Sequence, residues 1–245
     1  MMIEIITTAT RRFNILSKTL LTFGFNLFGG FKDVKMIINI DPVGKDNLCD
    51  ITDIIHSAFK ERIIINTPET ASFPKAFKWC WANTTADYVL NLEDDWELLQ
   101  PVDLLHMIHI MEFDPSLASL RLPWKSQDEE SMKNWKYFFP WNGFYYKCPE
   151  ELIRSVGFCG HPSLLRGEFV RNCAPLLSDN YNPEKQFHNR VNTPLMQEID
   201  KWDFGVLRTE DRQPAIADIG RKWMVENGFN KKGNKSLFQE WEKTT

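Results

Sequence analysis

The sequence predicts an α/β protein: a single domain built on a mostly parallel sheet flanked by helices. Three observations predict it. Through the first half of the 245-residue chain, short apolar runs alternate with stretches of helical spacing, the pattern of strands joined by crossover helices. Neither an internal repeat nor a low-complexity linker divides the chain. One apolar run ends in three consecutive acids, Glu93, Asp94 and Asp95, and in such sheets ligands sit beyond the carboxyl ends of the strands.

The elements follow in order. Residues 3–7 are a β-branched run, and residues 13–25 carry Phe13, Leu16, Leu20 and Phe23 on one helical face. Residues 35–40 form a second apolar run that ends in Asp41-Pro42. A helix over 50–59, a strand over 62–65 and an aromatic-rich helix over 73–83 come next. Residues 88–92 are the short strand before the acids; a helix over 102–113 and a strand over 117–122 close the first half. Past Trp124 the pattern weakens. Residues 125–133 read as a polar loop and 135–146 as an aromatic segment punctuated by Gly and Pro. Residues 162–177 and 194–202 look helical, and the tail from Arg221 is basic. The polar strand ends at 7–12, 39–41 and 93–95 are expected to converge on one cleft.

Composition limits the function classes. A hydrophobic fraction of 43% suits a buried core. The net charge of −4 gives no general attraction to polyanions, so a nucleic-acid partner needs a local basic patch. Five scattered cysteines without CxxC spacing form neither a disulfide framework nor a zinc site, and fit a reducing compartment. The first residues lack the charge-then-apolar order of a secretory signal. The apolar stretch at 20–31 contains Gly24, Gly29 and Gly30 and is too short to span a bilayer. A cytoplasmic protein without a membrane span is expected.

Three adjacent carboxylates after a buried strand repel one another, and burial penalises each. A divalent cation removes that cost, and Mg²⁺ or Mn²⁺ prefers oxygen ligands and leaves positions for phosphate oxygens. Along an extended end, side chains alternate, so Glu93 and Asp95 share one side and Asp94 faces the other. The competing reading is a helix cap, since acids favour a first helical turn.

Residues 86–96, Ala-Asp-Tyr-Val-Leu-Asn-Leu-Glu-Asp-Asp-Trp, resemble the strand and DxD-type motif of GT-A glycosyltransferases, near the large inverting family 2. The resemblance is clearest over residues 2–125. It implies a nucleotide-sugar-binding half over 1–125, an acceptor half over 126–245, and sugar transfer from a nucleotide-sugar donor, with a UDP-sugar expected, to an acceptor hydroxyl. It assigns Asp95 to the Mn²⁺ or Mg²⁺ and places Glu93 and Asp94 close to ribose or metal. Glu93 stands where the first Asp is usual, which loosens its assignment.

Other positions follow the same likeness. Residues 5–13 resemble the first strand and turn, where Thr7, Thr8 and Arg11 would contact the nucleotide; the guanidinium fork of Arg11 suits phosphate or base edges. A helix cap by Thr10 is the plainer reading there. Asp41 stands where family members place an acid against base or ribose, and a turn-forming Asp before Pro is its alternative. Glu184, Phe187 and Arg190 match the spacing of the family's catalytic stretch, so Glu184 would deprotonate the acceptor. A helix N-terminal Pro-Glu pair is the rival reading, and Asp179 and Glu168 are the reserve acids. Asp218 lies where many GT-A enzymes supply a last metal ligand, usually His, and Arg221 with Lys222 would clamp the departing diphosphate. His161 is a candidate acceptor-site residue with a structural role as its competitor. His106 and His109 read as surface or packing residues.

The compact chain is similar to small virus-encoded glycosyltransferases, some of which modify hydroxymethylated pyrimidines in viral DNA. That likeness implies a hydroxymethylated DNA acceptor gripped by the basic tail and the aromatic segment. A cell-surface glycan or a protein is the next acceptor. A nucleotidyltransferase of related fold usually carries a Gly-rich phosphate loop, and residues 7–12 contain no Gly. A haloacid-type phosphatase carries its DxD after an early strand. A non-catalytic sugar- or nucleotide-binding module would leave Glu184 idle.

Overall fold

The fold was taken from a computed structural model that describes residues 2–29, 34–60, 62–125, 139–188, 191–209, 213–232 and 240–243. Alternation governs the first half. β1 (Ile3–Arg11), α1 (Phe13–Asn26), β2 (Val34–Gly44), α2 (Leu48–Phe59), β3 (Ile63–Asn66) and α3 (Phe73–Ala82) follow one another. β4 (Tyr88–Asn91) leads through the acids into a short strand, β5 (Trp96–Leu98), then α4 (Leu104–Phe113) and β6 (Leu117–Arg121). The second half supplies β7 (Trp124–Lys125), β8 (Tyr146–Lys147), β9 (Ser163–Arg166), α5 (Gly167–Cys173), α6 (Pro183–Gln186) and α7 (Thr193–Ile199). β10 (Asp203–Val206), β11 (Ile216–Asp218), α8 (Gly220–Glu226), β12 (Phe229–Lys232) and β13 (Glu240–Lys243) complete the order.

Eight strands form the main sheet in the order β3-β2-β1-β4-β9-β6-β10-β8. β3, β2, β1 and β4 are mutually parallel, and β10 is parallel to β6. β9 runs antiparallel to both neighbours, and β8 antiparallel to β10. A smaller sheet, β5-β11-β7, ties the end of the acidic segment to the C-terminal region.

Two expectations are corrected. Residues 162–177 do not form one helix: Ser163–Arg166 is a strand and Gly167–Cys173 a helix. Ser163, Leu164 and Leu165 are fully buried between β4 and β6, and an apolar run this short carries no periodicity that separates strand from helix. Gly167 makes the junction possible, because a Cβ there would lie 1.9 Å from the Ala86 carbonyl oxygen. The acids are followed by strand β5, so they cap no helix.

The sheet is covered on both faces. One core joins β1, β2 and β4 to α1, α2 and α4 through Leu16, Leu20, Phe23, Ile51, Ile55, Met107 and Met111. The other centres on Trp81 of α3, fully buried among Phe77, Phe158, Phe169 and Phe187. Each such phenylalanine contributes roughly 2–3 kcal/mol by leaving water. This second core fixes α3 and the segment before β9, both of which line the site.

Candidate active site

Strand register brings the polar ends together. Thr8 pairs with Asn39 and Thr10 with Asp41 across β1 and β2, while Ile6 pairs with Asn91 across β1 and β4. Beyond these ends lies a cavity of about 680 Å³ lined by Thr8, Thr10, Arg12, Asp41, Glu93, Asp94 and Asp95, with Lys75 and Asp179 on its rim. A smaller cavity of about 180 Å³ adjoins it, lined by Glu93, Asp95, Trp96, Trp124, His161, Glu184, Asp218 and Arg221. Glu93, Asp95 and Phe73 line both.

All three acids line the large cavity, with Glu93 and Asp95 only partly buried. Asp94 is buried and accepts hydrogen bonds from the Thr10 amide at 2.9 Å, the Thr10 hydroxyl at 3.2 Å and Arg12 Nη2 at 2.5 Å. Arg12 also reaches Asp95 Oδ2 at 3.2 Å. Burial alone would disfavour the Arg12 cation, but the two carboxylates outweigh it and hold the guanidinium protonated. Arg12 is thus an internal cation shared by Asp94 and Asp95. Burial, with the Asp95 charge beside it, still holds the Asp94 carboxyl above its usual range. The Thr19 hydroxyl fixes the Asp94 carbonyl at 2.7 Å, and the Ile219 amide fixes that of Asp95 at 2.9 Å.

Asp41 accepts from Asn39 Nδ2 at 2.8 Å and from the Ser72 amide at 3.0 Å. Burial nonetheless pushes its carboxyl above the usual range. Asp218, half-buried at the end of β11, accepts from the amides of Gly220 and Arg221 at 2.9 and 3.2 Å and pairs with Arg221 Nε at 3.0 Å. Glu184 lies in the first turn of α6, which Asn182 caps.

Some expected residues stand elsewhere. Arg11 and Thr7 line neither cavity; Thr7 is buried inside the sheet. Thr10 does not cap α1, whose N-cap residue is Arg12. Glu168 is exposed on α5 and lines neither cavity, and His106 and His109 are exposed on α4. Asp179 pairs with Lys78 at 3.0 Å. Lys222 pairs with Glu226 at 3.7 Å, so with Arg221 also paired the start of the basic tail is largely offset by acids. The tail at 233–239, Arg190, and the loop and aromatic residues at 126–138 lie outside the described residues. Sequence reasoning missed Arg12, which follows β1 as the N-cap residue of α1 and reaches Asp94 from there. It also missed Arg121 and Cys159, which only the sheet order brings beside His161.

Among the described residues no group of three or more His, Cys, Asp or Glu is arranged to hold a metal ion alone. The carboxylates at the junction, Asp95 foremost, are hard oxygen donors of the kind that suits Mg²⁺ or Mn²⁺ when phosphate oxygens complete the shell. The residues fit a metal that arrives with a diphosphate.

No protein-family model and no curated protein matches the chain. Solved structures do. Staphylococcus aureus TarS matches with a TM-score of 0.58 at 11% identity, covering 89% of this chain and 36% of that one. A TarS fragment, residues 1–349, in complex with UDP-GlcNAc matches at 0.58 and 9% identity, over 89% of this chain and 58% of that one. A mannosyltransferase from Pyrobaculum calidifontis, in complex with GDP-Man and Mn²⁺, matches at 0.58 and 8% identity, over 89% and 56%. The chain thus spans less than two thirds of these structures. What the likeness establishes is the fold: α/β of the GT-A type, with a mostly parallel eight-stranded sheet flanked by helices.

Proposed function

We propose that the chain transfers a sugar from a nucleotide-sugar to an acceptor hydroxyl, with inversion at the anomeric carbon. One observation carries this reading: a large and a small cavity meet at Glu93 and Asp95, and Glu184 lines the small one. The large cavity takes the nucleoside diphosphate, with Asp41 and Thr8 against the nucleoside and Asp95 toward the diphosphate. The structures in complex with UDP-GlcNAc and with GDP-Man and Mn²⁺ support a donor of this class; we infer a UDP-sugar. A divalent cation held by Asp95, with Asp218 beside it on the small cavity, would neutralise charge on the departing diphosphate.

The chain's own residues do the rest. Arg12 pairs with Asp94 and keeps Asp95 oriented, and Arg221 on the small cavity offers a cation toward the leaving group. Glu184 takes the proton of the attacking hydroxyl, so the acceptor enters from the small cavity and the sugar inverts. Trp96, Trp124 and Phe158 give that cavity aromatic walls, which suits an acceptor presenting one ring. The virus-type likeness makes a hydroxymethylated pyrimidine in DNA the first acceptor to assay, with saccharides second.

The test is a panel of nucleotide-sugars with Mn²⁺, assayed against hydroxymethylated DNA, plain DNA and saccharides. Glu184→Gln and Asp95→Ala are run alongside. Transfer by the wild type that both variants lose supports the reading. Full activity of Glu184→Gln removes the base assignment, and nucleotidyl transfer in place of glycosyl transfer removes the reaction class.

A further inference from the structure

The segment from Phe158 to Pro162 is held at every residue by a different part of the molecule. The Phe158 carbonyl bonds His188 Nε2 at 2.7 Å; a carbonyl only accepts, so His188 donates. Cys159 Sγ accepts from Arg121 Nη1 at 2.9 Å. The Gly160 carbonyl accepts from Asn91 Nδ2 at 3.1 Å. The Leu122 amide donates to the Pro162 carbonyl at 2.9 Å. The His161 ring is flanked by Trp96 and Trp124, with centroids at 5.1 and 5.0 Å. Gly160 runs so close to Glu93 that a Cβ there would lie 3.3 Å from Oε1.

This support fixes Phe158, Gly160 and the His161 ring on the cavity that Glu184 also lines. Four carboxylates there, Glu93, Asp95, Glu184 and Asp218, only accept hydrogen bonds, and His161 stands among them as a potential donor beside Lys185 and Arg221. Cys159, two residues before the ring, is tied to Arg121 and is the charge partner of His161. Burial alone would raise the Cys159 thiol, but Arg121 and His161 together lower it to about 6. Burial would likewise lower the His161 imidazole, and Cys159 reverses that and raises it. A ring used only for packing between two tryptophans needs no Cys159–Arg121 pair beside it.

We propose that His161 is an acceptor-binding residue, donating a hydrogen bond from one ring nitrogen to an oxygen of the acceptor seated against Glu184, while Cys159 holds the other nitrogen. The proposal rests on the reading of the small cavity as the acceptor pocket.

Three variants of the full chain test it. His161→Phe keeps a ring between the tryptophans and removes both nitrogens; the acceptor KM should rise roughly tenfold or more, as loss of a hydrogen bond in a desolvated site requires, with the donor KM unchanged. His161→Gln, which retains a donor, should recover part of that loss and shows that the first variant is not merely misfolded. Cys159→Ala should displace the His161 ring-nitrogen signals in the NMR spectrum of the free protein, a readout that needs no turnover. Wild-type acceptor KM in His161→Phe overturns the contact, and unmoved ring signals in Cys159→Ala overturn the support. If Glu184→Gln is also fully active, the acceptor-pocket reading itself has failed; if Glu184→Gln is inactive while His161→Phe is normal, only the His161 assignment falls.

Discussion

Gly220 lies directly against the Asp95 carboxylate: a Cβ built on it would fall 2.0 Å from Asp95 Oδ2 and 2.8 Å from the Asp95 Cβ. The first residue of α8 therefore has to be glycine for Asp95 to stand between Arg12 and the junction of the two cavities. Gly220→Ala should push that carboxylate aside by an ångström or so and cost roughly a hundredfold in kcat. Far-UV circular dichroism should stay that of the wild type. Wild-type turnover in Gly220→Ala would show that the position of Asp95 is not critical.

Arg12 and Asp94 form a pair with both side chains almost fully buried, 3% and 4% exposed. Removing one partner of such a pair strands the other charge. Arg12→Met should lower unfolding stability by about 3–5 kcal/mol in a urea titration. Arg12→Met combined with Asp94→Leu should recover much of it. A loss under 1 kcal/mol in the single variant would mean that water or another cation already serves Asp94.

Glu4, fully buried on β1, fastens the turn before β4. It accepts from the Thr85 and Ala86 amides at 2.6 and 3.0 Å and from Lys35 at 2.9 Å. Burial would raise its carboxyl, but the Ala86 amide, Lys35 and Thr85 outweigh that and set it below its ordinary 4.5. A carboxylate lowered on folding stabilises fully above the unfolded value and loses that contribution as pH falls through the folded one. The melting temperature of the wild type should exceed that of Glu4→Gln at pH 7, and the gap should close as pH falls below the ordinary 4.5 and through the lowered folded value. A gap that is constant with pH would contradict this.

Much of the fold was legible because the first half obeys simple periodicities. The run at 3–7, the helical face of Phe13, Leu16, Leu20 and Phe23, and the aromatic helix before β4 all appear within a residue or a few of their expected places. What failed was local and short. Ser163–Arg166 is too brief to show a period, and its insertion antiparallel between β4 and β6 is a tertiary fact. Of the site, the convergence of Thr8, Asp41 and the acids followed from their places at strand ends. Arg12 was not legible, because it lies past the end of β1 and beyond the register shift at Thr10 and Arg11, where alternation no longer assigns sides. The Arg121–Cys159 contact joins residues 38 apart in sequence through a strand order that no spacing rule gives.

If the large cavity holds a nucleoside diphosphate through a cation at Asp95, calorimetric titration of UDP and GDP, with and without Mn²⁺, will show it in the wild type and in Asp95→Ala. Binding should require Mn²⁺ and fall roughly tenfold or more in the variant, consistent with the loss of one charged metal ligand. Binding of equal strength without Mn²⁺, or in Asp95→Ala, would contradict it.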